Sequence, residues 1–162
     1  MALTSYVSGL IVQSVPTKGV MKVDRFTASG TFTPPAGVFY AVAYIRGGGG
    51  GIGSSSGAGG NSSVAFAGGT ITATGGNNST STAYTDGRIA GVVNSGQGAR
   101  GVSNRSVGDE GYAALACDGA LITAGGAVTP GTGIAVTVGD GGTAGTNGAA
   151  GGSGYVYIEY LA

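Results

Sequence analysis

The pattern of apolar and polar residues along the chain is typical of short β-strands. Apolar and polar residues alternate over residues 26–33, 134–138 and 155–161, which gives each stretch one face for a hydrophobic core. Pro34 and Pro35 end the first stretch because proline cannot donate a backbone hydrogen bond to a neighbouring strand. We therefore predict strands at these three places.

Residues 38–45 differ from these strands because they are apolar on both faces. A strand with that pattern lies between two packed layers or between subunits. Val38, Tyr40, Val42 and Tyr44 share one face, and the residues between them share the other. We predict that these four side chains form a subunit interface.

Further short strands follow among glycines. Residues 63–68 and 70–76 are expected to be strands, with Val64 and Phe66, then Ile71 and Ala73, on matching faces. Residues 112–126 are expected to form a hairpin that turns at Asp118 and Gly119. No stretch has helical periodicity with a cap at both ends. The pattern predicts an all-β fold of seven or eight strands, as a compact β-sandwich or jelly-roll-like domain with long ordered glycine-rich loops.

The first 23 residues lack a strong alternating pattern. Their short strand-like pieces are separated by Pro16. We predict that residues 1–23 form an N-terminal arm for attachment or subunit pairing. Residues 24–162 then form one glycine-rich β domain, which agrees with a length of 162 residues.

Composition excludes several classes of protein. Glycine supplies 37 residues and charged residues only 9%, yet 41% of the chain is hydrophobic, so we expect a folded protein rather than a disordered one. The formal net charge is zero, which argues against nucleic acid and anionic membranes as partners. No apolar run is long enough to span a bilayer, so we expect no membrane insertion.

Catalytic chemistry has few residues to use. The chain has no histidine, and Cys117 is its only cysteine, so neither a zinc site nor an imidazole-activated nucleophile is expected. Seven acidic residues are scattered along the chain, and no pair of them stands out for glycoside hydrolysis. We predict no catalytic, metal-binding or cofactor-binding residues and expect a protein that is not an enzyme.

Five consecutive glycines follow the most apolar stretch. They suggest a phosphate-binding loop, a disordered linker or an ordered surface made of backbone. The match to G-x-G-x-x-G carries little weight, because the residues after it cannot build the helix that a pyrophosphate site needs. Since apolar strands flank the tract, we favour an ordered surface. The predicted contact glycines are Gly47, Gly48, Gly49, Gly50, Gly51 and Gly53.

Four larger side chains lie in or beside glycine-rich loops: Tyr84, Arg88, Arg100 and Arg105. Solubility and bonding to backbone carbonyls would explain the arginines. Contact with a sugar or with a partner subunit is the functional alternative, since aromatic faces pack on sugars and guanidinium groups bind acidic groups. We include all four as candidate ligand-contact residues.

The order of several motifs resembles a known family. Residues 26–38 match F-x-x-S-G-T-F-T-x-P-A-G-V, and a strand with a polyglycine run follows at 42–51. Residues 128–139 match V-x-P-G-x-x-x-x-V-x-V-G, and residues 154–160 match G-x-V-x-I-x-Y. This order resembles the glycine-rich domain of bacteriophage tail fibres and other virion surface proteins. Residues 77–121 match no part of that pattern.

The resemblance implies a β-rich and often trimeric component of the virion exterior, on the tail or the capsid. It leads us to expect a non-enzymatic tail fibre or spike tip that binds a host surface glycan or protein through its glycine-rich loops. The expected partners are further copies in a homotrimer and other virion proteins. The alternative is a capsid decoration, head fibre or adaptor attached through the N-terminal arm.

Overall fold

The computed structural model describes residues 19–52, 55–78, 100–103, 112–115, 119–146 and 149–162. This part of the chain contains ten strands and no helix, which confirms the predicted all-β class. The strands are β1 (Met21–Phe26), β2 (Gly30–Phe32), β3 (Tyr40–Arg46), β4 (Ser62–Phe66), β5 (Gly69–Ala73), β6 (Arg100–Ser103), β7 (Tyr112–Leu115), β8 (Leu121–Ala127), β9 (Ile134–Thr137) and β10 (Tyr155–Leu161).

Eight of these strands form two antiparallel sheets. Sheet A has the order β1-β10-β3-β8, and sheet B has the order β2-β9-β4-β5. The remaining strands, β6 and β7, pair with each other in a separate antiparallel ladder. We refer to sheets A and B together as the two-sheet body.

One hydrophobic core joins the two sheets. Alternate residues of the strands are buried, as the sequence pattern predicted for β9 and β10. Val64 and Phe66 of β4 are buried, and Val64 is opposite Ile71 of β5, which confirms the two predicted strands and their matching faces. The buried core consists of Phe32, Val38, Ala41, Ala43, Ile45, Val64, Phe66, Ala73, Val128, Ile134, Val136, Val156, Ile158 and Tyr160.

The prediction of one continuous strand over residues 26–33 is wrong. The chain leaves sheet A after Phe26, bends over residues 27–29 and enters sheet B at Gly30. The bend lets Phe26 and Phe32 reach the same core from two different sheets. Ser29 supports the crossing, because its hydroxyl accepts a hydrogen bond from the Val138 N–H at 3.0 Å.

The predicted hairpin over residues 112–126 is also wrong. Strand β7 pairs with β6, and β8 pairs instead with β3. Ala120 lies between two distant segments: its N–H donates to the Thr74 carbonyl at 2.8 Å, and its carbonyl accepts from the Gly47 N–H at 3.0 Å. Long-range bonds of this kind leave no sign in a local pattern.

The predicted boundary between residues 23 and 24 falls inside β1. The β1–β10 ladder continues beyond the strand ends, because Val20 and Ala162 exchange two backbone hydrogen bonds of 2.7 and 3.0 Å. Residues 20–23 therefore belong to sheet A. Residues 1–18 lie outside the described residues, so their role as an arm stays a prediction.

Candidate functional site

Six glycine-rich segments meet at one end of the two-sheet body. Three segments leave the body after β3, β5 and β9, and three return to it before β4, β8 and β10. We call this assembly the glycine bundle. Its segments are residues 47–52, 55–60, 74–78, 119–120, 139–146 and 149–154.

Backbone hydrogen bonds at three-residue intervals hold the bundle together. Gly48 and Gly51 donate to the carbonyls of Gly60 and Gly57, both at 2.9 Å. Gly49 and Ile52 donate in the same way to Gly152 and Ala149, at 2.8 and 3.0 Å. An interval of three residues is the period of a polyproline II-type helix, which makes no hydrogen bonds within itself and leaves its backbone groups to neighbours.

The segment 47–52 lies at the centre of the bundle. Its backbone bonds to each of the other five segments, because a threefold repeat turns successive residues toward different neighbours. The pairs are Gly48 with Gly60, Gly49 with Gly152, Gly142 with Gly49, Gly76 with Gly48, and Gly47 with Ala120. A segment surrounded in this way explains why five glycines follow one another.

Close backbone approach is the reason for glycine here. A Cβ atom on Gly48, Gly50 or Gly51 would lie closer than 3.0 Å to a carbonyl oxygen of a neighbouring segment, nearer than real Cβ atoms come. Backbone dihedrals are not the reason, since the described glycines with positive φ, Gly37, Gly69 and Gly131, all lie outside the bundle. The packing follows the rule of the collagen axis, where only glycine fits.

The prediction that Gly47–Gly51 lie on an exposed contact loop is wrong. All five glycines are buried. The amides of Gly47, Gly48, Gly49 and Gly51 donate to carbonyls of other segments, so these donors are not available to a ligand. The tract acts as the scaffold of the bundle. Gly53 lies outside the described residues.

Ser62 connects the bundle to the body. Its side chain is fully buried, and its hydroxyl donates to the Arg46 carbonyl at 2.6 Å. The same oxygen accepts a hydrogen bond from the Gly139 N–H at 2.9 Å. One hydroxyl therefore joins the end of β3, the start of β4 and the segment after β9. The only signal in the sequence was a serine in register with the buried Val64 and Phe66.

Only three of the four predicted interface residues lie on one face of the sheet. Val38 is 2% exposed and belongs to the core, so its assignment to an interface is wrong. The reason is that β3 begins at Tyr40, and the alternation of the strand does not extend back to residue 38. Tyr40, Val42 and Tyr44 do share the outer face of sheet A; Tyr40 is 59% exposed and the other two are half-buried.

Aromatic and charged side chains pair across this outer face. The rings of Tyr155 and Tyr157 stack at 4.7 Å, and the Arg25 guanidinium lies 5.3 Å from the Tyr157 ring centre. The Tyr44 hydroxyl donates to the Glu159 carboxylate at 3.1 Å. That hydrogen bond, with the negative charge of Glu159, raises the pKa of Tyr44 above its ordinary value.

A shallow apolar depression lies on the same face. It has a volume of about 220 Å³ and is at the end of sheet A away from the glycine bundle. Its walls come from β1, β3 and β10. The lining residues are Met21, Tyr40, Ala41, Val42, Glu159, Tyr160 and Leu161.

The remaining predicted contact residues belong to the longest connection between bundle segments. Tyr84, Arg88 and Arg105 lie outside the described residues, and Arg100 is described only as the first residue of β6. Their contact role stays a prediction. The connection leaves the bundle at Asn78, whose side-chain amide donates to the Ser56 carbonyl at 2.7 Å, and the chain rejoins the bundle at residue 119.

Within the described ranges, no group of three or more His, Cys, Asp or Glu side chains is placed to bind a metal ion. The same part of the chain contains no helix that is long and apolar enough to cross a membrane. Comparisons with models of known protein families, with curated proteins and with solved structures give no match.

Proposed function

We propose that this protein is a non-enzymatic structural component of a bacteriophage virion. It lies on the virion exterior, as a tail fibre or spike tip, and binds the host cell surface. The observation that carries the proposal is the glycine bundle. Six chain segments project from one end of the two-sheet body and are held together by backbone hydrogen bonds.

In this proposal, the bundle holds the loops that connect its segments in fixed positions. Glycine loses more conformational freedom on folding than any other residue, so ordering these segments is costly. Their mutual hydrogen bonds and burial offset that cost. Because the buried glycines offer no side chains for chemistry, their contribution is to fix the segments that the bundle carries.

The connection from residue 79 to residue 118 is the longest of these carried segments. It contains the candidate contact residues Tyr84, Arg88, Arg100 and Arg105. Tyrosine and arginine are enriched among residues that dominate binding energy at protein interfaces. A host glycan or surface protein is the ligand that we assign to this connection.

The two ends of the molecule suit different tasks. Val20 and Ala162 bond to each other at the end of sheet A that lies away from the bundle. The described chain thus enters the body at that end. Attachment to other virion proteins through the residues that precede sheet A would leave the bundle directed outward. The same geometry suits a capsid decoration, head fibre or adaptor, which is the alternative function.

Immunogold electron microscopy of the phage particles tests both functions. Antibodies raised against the purified protein should label the tip of the tail or its fibres. Label on the capsid would replace this function with the alternative. Unlabelled particles, in a preparation where antibodies to a known virion protein do bind, would overturn both.

Binding to bacterial cells tests the contact region. The purified protein is expected to sediment with host cells, and the Tyr84→Ala and Arg88→Ala variants should sediment less. Lys22→Ala is the matched control, because it removes an exposed charge from β1 of the body. Equal cell binding by all three variants would contradict the assignment of the contact region.

A further inference from the structure

We propose that the outer face of sheet A is the surface through which copies of this chain associate with one another. The two sheets have very different outer faces. Sheet A exposes large apolar side chains, including Met21 (60% exposed), Leu161 (57%) and Leu121 (55%). The exposed residues of sheet B are mostly threonines, among them Thr31, Thr70, Thr72 and Thr137.

The strand register places outward-facing residues of sheet A in rows that cross the strands. Met21 of β1 is opposite Leu161 of β10, and the next outward pair is Val23 opposite Glu159. Glu159 in turn is opposite Val42 of β3. The Glu159 carboxylate therefore lies between two valines in this row, and the shallow depression lies in this part of the face.

The composition of the face is that of a protein interface. Tyrosine, methionine and arginine are enriched at such interfaces and lysine is depleted. The outward positions of sheet A carry four tyrosines, one methionine and two arginines, and the described strands place no lysine there; Lys22 is opposite the inward-facing Tyr160. The tyrosines are Tyr40, Tyr44, Tyr155 and Tyr157.

Burial of the charged groups on this face is less costly because two of them already have partners. Glu159 accepts a hydrogen bond from the Tyr44 hydroxyl, and the Arg25 guanidinium lies over the Tyr157 ring. A charge that keeps a partner is much cheaper to bury than an unpaired one. These pairs let the face lose water without isolating either charge.

A second copy of the chain fits this face better than a strongly charged partner. Two arginines and one glutamate give the face almost no charge excess, so two copies can meet without strong repulsion. Isologous contact between identical patches is the commonest arrangement in soluble oligomers. A contact of this kind joins two copies.

The outer face of sheet A has about the area that a specific protein–protein interface needs. Four strands at about 4.8 Å spacing, each of up to seven residues at about 3.4 Å, give about 450 Å² of flat area. Two facing copies therefore cover about 900 Å², and protruding side chains increase the accessible area further. Specific interfaces bury at least about 1,000 Å² in total, and a contact over the whole face comes close to that value.

Mass in solution tests the proposal, which does not depend on a virion location. The wild-type protein should give a multiple of the 15.3 kDa chain mass in size-exclusion chromatography with light scattering. Val42→Lys should give the mass of a single chain, because it places a charge at the centre of the contact.

Two further variants keep the result interpretable. Thr72→Lys places the same charge on the exposed face of sheet B and should leave the mass unchanged. Leu161→Lys changes a side chain that is already mostly exposed, and it repeats the Val42 test without altering the core. A monomeric wild type, or an oligomer that survives both sheet A substitutions, would overturn the proposal. Dissociation by Thr72→Lys would place the contact on sheet B instead.

Discussion

A single methyl group inside the glycine bundle is expected to destabilise the protein strongly. Gly48 is the most informative position, because it contacts three other segments. Its N–H donates to the Gly60 carbonyl at 2.9 Å, and its carbonyl accepts from the Gly76 N–H at 2.8 Å. A Cβ on Gly48 would collide with the Asp140 carbonyl oxygen, which itself accepts a hydrogen bond from Gly60 at 2.8 Å.

The magnitude follows from these three hydrogen bonds. Moving the segments far enough apart to admit the methyl group lengthens all three, and loss of two would leave buried groups unpaired at about 1–3 kcal/mol each. Alanine lowers the entropy of the unfolded chain and returns about 0.4–1 kcal/mol. The net loss for Gly48→Ala is therefore about 1–5.5 kcal/mol. At about 2–4 °C per kcal/mol for a chain of this size, Tm falls by about 2–22 °C.

Urea and thermal unfolding followed by circular dichroism measure this loss. Gly68→Ala is the matched control, since a Cβ there has no atom within 4 Å and Gly68 is not among the glycines with positive φ. The control should match or slightly exceed the stability of the wild type. Equal unfolding midpoints for Gly48→Ala and Gly68→Ala would refute the close-packed bundle.

Three further predictions concern single substitutions. Ser62→Ala removes both hydrogen bonds of a buried hydroxyl and should cost about 2–4 kcal/mol in urea unfolding, whereas Ser63→Ala, on the outer side of β4, should change stability little. Glu159→Gln should lower the pKa of Tyr44 in a spectrophotometric titration; an unchanged tyrosine titration would contradict the pairing. Because the folded-state pKa of Tyr44 is raised, its contribution to stability is complete below about pH 10 and is lost as pH rises through the raised pKa. Gly131→Ala should cost about 1 kcal/mol or more, since its φ of +76° strains any other residue, and an unchanged Tm would contradict this.

The two sheets show which features of the fold the local alternation of apolar and polar residues predicts. Ile134 and Val136, and likewise Val156 and Ile158, are buried as their alternation predicted. The pattern failed at Phe26, where the chain passes from one sheet to the other. Alternation specifies which side chains share a face over a few residues, but it does not say in which sheet each piece lies.

Of the four residues predicted to share one face, three do so, and their role at a subunit contact stays a prediction. Tyr40, Val42 and Tyr44 share an outer face, as period-two alternation requires, whereas Val38 precedes the strand and enters the core. The larger face became visible only when the register brought Met21 and Leu161 beside these residues. Met21 and Leu161 are far apart in the sequence and become neighbours only when β1 pairs with β10, so a local sequence pattern cannot predict their contact.

The sequence by itself determined that the chain is all-β, because alternating side chains carry the information for a half-buried strand. It also indicated that the glycine tract is part of a folded protein. Only the tertiary structure decided what the glycines do. Glycine has no side chain and therefore no pattern from which a partner can be inferred, and Gly49 bonds to Gly152 from the far end of the chain. The meeting of six backbone segments decided that Gly47–Gly51 form a buried scaffold rather than an exposed loop.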